Sequence, residues 1–203
     1  MSKMSNREKI LTKGVRVIHE RGFGGASVRG IAQAANVPLG SFTNNFPSKE
    51  VFGLEVLERY HDQNRQLSAR TLQDKSLPVR ARLQACFDRV LEDLIGYEMR
   101  RGSLIGNFST EMSGQSELLR LRLMAIYQDF CADIQAMLED GVGSGELRAD
   151  LDCAQMAQFI YASMQGALLF AKVLRVPEPV ESCRNQILRD LDFILSPPET
   201  VPL

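Results

Sequence analysis

Histidine is scarce: there are two in 203 residues, His19 and His61, each on a helical stretch with mixed neighbours. A lone histidine in such a setting is more often solvated than catalytic. The chain contains no GxSxG, Walker loop, HExxH or GxGxxG. The glycine-rich "GVGSGE" has no lysine and no preceding strand, and reads as a loop. These absences argue against an enzyme. Cysteine is also sparse. Cys86, Cys131, Cys153 and Cys183 lie far apart without CxxC spacing, so buried free thiols are expected rather than disulfides or zinc. Neither a metal nor a cofactor is expected. No apolar run approaches the ~20 residues that cross a bilayer. The N-terminal "MSKMSNREKI" is not followed by an apolar block, so no secretory leader is expected and the location is read as cytoplasmic, with no membrane partner. There is no internal repeat, no low-complexity tract and no convincing strand.

What is present is ordinary for a globular protein: 44% hydrophobic and 24% charged residues. The net charge of −1 is unevenly spread. Residues 1–50 hold eight basic and three acidic side chains, a surplus of +5, and the remainder carries −6. A basic N-terminal quarter on an acidic body suggests a polyanionic partner at one end. A lysine-rich solvated surface would produce the same count, and charge alone does not separate the two.

Hydrophobic periodicity predicts an all-α chain. Ile10, Leu11, Val15, Val17 and Ile18 form a first stripe, with Gly22 as a stop. Ser27 suits the N-cap of a short helix over Val28–Ala35. Asn36 can take the left-handed turn conformation, and Pro38 suits the first turn of the next helix, "LGSFTNNF". Pro47 ends it, and Ser48 caps a longer helix with Glu50 in its first turn. Four longer stripes follow, begun by Val79, Leu119, Met156 and Ile187. A short apolar helix starts near Leu104, "GVGSGELRAD" (141–150) is a loop, and "RVPEPVES" (175–182) joins the last two helices. The expected division is a head over 1–48, a helical body over 49–196 and a flexible tail over 197–203.

A long helix followed by two short ones across a tight turn is a helix-turn-helix. Phe42 and Phe46 share a face and can bury against Ile10, Val15, Val28 and Ile31. That leaves Leu39, Ser41, Thr43, Asn44 and Asn45 outside. A helix that reads a major groove needs such an exposed face of small or hydrogen-bonding side chains. Lys49 stands where an amide and a cation could hold one phosphate. A small helical hairpin with polar residues facing water has the same pattern.

The segment "ASVRGIAQAANVPLGSFTNNFPSKEVF" resembles the DNA-binding segment of the TetR family of bacterial transcriptional regulators. The matching positions are Ser27, Ile31, Ala32, Ala35, Val37, Gly40, Phe46, Lys49 and Glu50. The resemblance implies a homodimer on a double-stranded, near-palindromic DNA operator, contacted through Ser27, Arg29, Leu39, Ser41, Thr43, Asn44, Asn45 and Lys49. Three positions depart from the family pattern. Thr43 replaces the usual Tyr, Asn45 the common His or Tyr, and Leu39 a frequent Lys.

In such regulators the body binds a small-molecule effector, and most members are repressors. The effector site is expected among Phe87, Ser103, Asn107, Phe108, Glu111, Met112, Tyr127, Phe130, Tyr161, Met164 and Gln165, most of which would serve equally as plain core. Asn107 or Glu111 would orient the ligand. "RRGSLIGNFSTEMSGQSELLRLRL" resembles a loop-helix of the branch that responds to electrophiles such as N-ethylmaleimide. Ser103 stands there where that branch has its reactive cysteine. Residues 154–172 and 183–195 are expected to dimerise, with Ala157, Ala162, Gly166 and Ala167 small enough for helices to approach closely. Two other readings stay open: a helical small-molecule-binding protein with a degenerate head, and a small helical enzyme.

Overall fold

The computed structural model describes residues 4–195, so the expected tail over 197–203 lies outside the described residues. The described residues form helices and no strand: α1 (Asn6–Gly25), α2 (Val28–Ala34), α3 (Leu39–Asn45), α4 (Lys49–Arg70), α5 (Val79–Gly96), α6 (Leu104–Met112), α7 (Glu117–Ser144), α8 (Cys153–Leu174) and α9 (Glu178–Leu195). No helix among them is long and apolar enough to cross a membrane. Contacts group the chain into two units: the part up to Asn64 with Arg100–Ile126, and Arg65–Met99 with Tyr127 onward. The helices α4 and α7 each belong partly to both.

In the first unit the helix ends follow local chemistry. The Ser5 hydroxyl accepts from the Glu8 amide, Ser27 from Gly30 and Ser48 from Val51. Asn36 turns the chain at φ 53°. Phe42, Phe46 and Phe52 lie 5.1–5.2 Å apart, centroid to centroid, and are almost fully buried. Each such ring adds roughly 1.5–3 kcal/mol by burial, and offset aromatic contacts add to that. Gly14 on α1 makes room for them: a Cβ there would stand 2.3 Å from Phe52 Cζ. Gly22 does not end α1 but interrupts it, at φ 73° and ψ 166°, before a last turn to Gly25.

The second unit packs α8 along α9 and α9 along α5. Leu83, Phe87, Ile134, Leu138, Ile160 and Leu188 are among its buried residues. Arg82 is buried, donating to the Leu72 carbonyl and pairing at 3.2 Å with Asp140, which also pairs with Lys75 at 2.8 Å. The expected loop over 141–150 is shorter than its glycines suggest. The helix α7 runs through Gly141 to Ser144, because Gly141 packs where a Cβ would meet Val79 and Leu147 at 2.7–2.8 Å. Packing overrides propensity there. Likewise α9 starts at Glu178, so the connection after α8 is only residues 175–177.

Candidate nucleic-acid interface

The helix α3 is seven residues long and buries Phe42. Its capping residue, Phe46, is also buried. The aromatic triad therefore fixes which face remains outside. Leu39, Gly40, Thr43 and Asn44 are exposed, and a Cβ at Gly40 would meet nothing within 4 Å. This is a flat, small face of the kind a base edge can approach. On α2, Arg29 and Gln33 are exposed beside it, and with Ala32, Asn36, Val37, Pro38 and Leu39 they line an open groove of about 580 Å³.

The other expected contacts are already engaged. Asn45 donates its amide to the Ser41 carbonyl at 2.6 Å and is half-buried. The Ser41 hydroxyl accepts from Asn6 at 3.3 Å. Thr43 donates to the Gly40 carbonyl at 3.1 Å but stays exposed, leaving its methyl and its oxygen lone pairs outward. Ser27 caps α2. The sequence does not mark Gln33, and it marks Asn36 only as a left-handed turn residue. Their signal was available in principle: polar residues on the open side of a helix whose other side holds Ile31, Ala32 and Ala35.

Lys49 is half-buried. Its ammonium donates to the Gly24 carbonyl at 3.3 Å and sits 4.6 Å above the Phe23 ring. Desolvation lowers its pKa, partly offset by the negative charge of Glu111. The ammonium has further donors to offer a phosphate.

Of the residues expected around an effector, Ser103, Asn107, Phe108 and Glu111 lie in the first unit. Ser103 is the N-cap of α6, its hydroxyl accepting from the Gly106 amide at 3.1 Å. Phe108 is fully buried, 5.0 Å from Phe23. Glu111 accepts from the Gly24 amide at 2.8 Å. Phe87, Tyr127, Phe130, Tyr161, Met164 and Gln165 lie in the second unit. Tyr161 stacks on Phe130 at 5.2 Å and meets Tyr127 edge-on at 5.5 Å. The buried Gln165 Oε1 has no hydrogen-bond partner in the protein. Every one of the four thiols is pushed up by burial, Cys86 to about 11. No cluster of metal-ligating side chains occurs among the described residues.

Residues 10–56 match the family described as bacterial regulatory proteins, tetR family, and residues 79–187 match the tetracyclin repressor-like C-terminal domain. The HTH-type transcriptional repressor DhaR of Mycobacterium sp. (strain GP1) is 39% identical over 181 residues, 89% of each chain. The regulatory protein TetR from Rhodobacter sphaeroides superposes with a TM-score of 0.86 at 29% identity, over 91% of this chain and 97% of that one. The reduced form of E. coli NemR gives 0.83 at 31% identity, over 96% and 99%. This chain belongs to the TetR family of bacterial regulatory proteins.

Proposed function

We propose that the protein is a cytoplasmic, ligand-responsive transcriptional repressor that acts by binding and not by turnover. A homodimer holds a near-palindromic operator through residues 27–49, and a small effector releases it. The observation that carries this reading is the outer face of α3. The rigid Phe42–Phe46–Phe52 cluster presents Leu39, Gly40, Thr43 and Asn44 together, beside Arg29 and Gln33. The +5 charge of the first 50 residues supports it. Functionally, the division at residue 48 separates a reading head from a body that dimerises and senses.

Dimerisation is supported by α8. Phe159, Leu169, Phe170, Val173 and Leu174 are more than half exposed there. Such an apolar face on a soluble chain fits a second copy. Of the stretch 183–195, the side chains of 193–195 lie outside the described residues. Two heads must be ~34–36 Å apart to enter successive major grooves, and an effector that favours another spacing releases them.

The effector we propose is small, partly apolar and non-covalently held, against Tyr127, Phe130 and Tyr161. The Gln165 carbonyl would accept a hydrogen bond from it. This replaces Glu111 as the orienting group, because that carboxylate is engaged by the Gly24 amide. The test is selection of duplexes from a random pool by the full-length protein. Enrichment of an inverted repeat is expected, and loss of enrichment in the Thr43→Ala, Asn44→Ala double variant. A pool without enrichment would sink the proposal.

A further inference from the structure

We infer that Glu111 is a positioning residue for operator binding: its carboxylate, carried by α6, fixes the Gly22–Ala26 turn from which α2 begins. The inference rests on the DNA-binding reading above. The Glu111 Oε2 atom accepts from the Gly24 amide at 2.8 Å, across 87 residues of sequence. The turn is built around that carboxylate. Gly22 has a positive φ, and a Cβ on it would stand 2.4 Å from Glu111 Oε1 and 2.9 Å from Oε2. Only glycine gives both the backbone conformation and the room. The Ala26 amide closes the turn on the Gly22 carbonyl, and Ser27 then caps α2 directly.

Two further contacts tie the same turn down. The Gly24 carbonyl accepts from Lys49, and Phe23 packs against Phe108, one helical turn before Glu111 on the same face of α6. The groove-facing residues of α2 thus take their origin from a turn that α6 grips at both an apolar and a charged point. A displacement of α6 along its own axis would be felt first at the charged one, since a hydrogen bond is lost over less than an ångström.

Glu111 is also near enough to act on Lys49 as a charge. Reach and charge are separable by substitution. Glu111→Gln keeps the acceptor at the same distance and loses the charge. Glu111→Asp keeps the charge and falls short by one methylene. Each variant, with Glu111→Ala, is measured as full-length protein on a duplex selected by the wild type and on a scrambled duplex of equal length. Thermal melts followed by circular dichroism keep folding apart. On the selected duplex, Glu111→Gln is expected within about twofold of wild type, and Glu111→Asp and Glu111→Ala about tenfold weaker, the scale of one ordinary hydrogen bond. All are expected to be equal on the scrambled duplex, because no phosphate contact is lost. Glu111→Asp binding like wild type would overturn the inference, as would Glu111→Gln as weak as Asp, or specific and scrambled affinities falling together. A wild type that enriches no duplex overturns the DNA-binding reading itself.

Discussion

The Lys49 ammonium lies 4.6 Å from the centre of the Phe23 ring, which joins the start of α4 to the end of α1. A cation in that position does two things. It holds the head together, at a scale of about 0.5–1 kcal/mol for a partly exposed pair, and in the proposed DNA-binding role its remaining hydrogens would meet a phosphate. Lys49→Ala is therefore expected to lower the melting temperature slightly and to weaken binding to every duplex alike. The slope of log K against log salt should fall by about one contact. Titrations at several salt concentrations check this, and an unchanged slope would confine Lys49 to a structural role.

The neighbouring asparagines should behave differently from one another. Asn44 is exposed, whereas Asn45 spends its amide on the Ser41 carbonyl. Asn44→Ala is expected to lose about 1–3 kcal/mol of discrimination at particular base pairs. Asn45→Ala should leave base preference intact and loosen α3. Competition against single-base-pair variants of the selected duplex separates them; the opposite pattern would reverse the assignment of the two residues.

Gly14→Ala is expected to cost about 1–3 kcal/mol, because its Cβ would fall 2.3 Å from Phe52 Cζ in a filled aromatic cluster. Chemical denaturation measures it, and a loss below about 0.5 kcal/mol would mean the cluster repacks freely.

The caps at Ser27 and Ser48, the left-handed Asn36 and the face shared by Phe42 and Phe46 were legible in the sequence, because each is a contact between residues within a few positions. Other positions take their roles from distant neighbours. Gly14 carries no side chain, so its burial depends wholly on Phe52, a residue 38 positions away. Gly141 looks like loop chemistry until Val79 and Leu147 press on it. Glu111 reads as a ligand-facing residue on an apolar helix, and its partner is a backbone amide 87 residues distant. Side-chain identity reports on neighbours in sequence; a backbone donor elsewhere in the fold leaves no mark on it.

Gly166 sits on the exposed apolar side of α8, and a Cβ there would meet nothing within 4 Å in the protomer. Gly166→Leu is thus expected to fold normally and to obstruct a second copy. Sedimentation should show a shift to monomer with helicity retained, and operator affinity should fall with it. An intact dimer would move the interface elsewhere.

Thiolate is the reactive form, and its supply is set by pKa. Burial raises Cys86 to about 11 despite a hydrogen bond with Thr71, and raises Cys131, Cys153 and Cys183 as well. The folded state therefore favours the protonated thiols. For Cys86 that preference is fully present below 9.0 and lost as pH rises through about 11. Ser103, the N-cap of α6, supplies no thiolate-like nucleophile, since a serine hydroxyl is not appreciably ionised near neutral pH. N-ethylmaleimide near neutral pH should accordingly label the native protein slowly and leave the operator bound, with labelling accelerating about tenfold per pH unit as thiolate forms. Intact-mass spectrometry and operator binding on the same sample decide it. Release that tracks a single adduct, and disappears in the matching Cys→Ser variant, would replace the non-covalent effector with a covalent one.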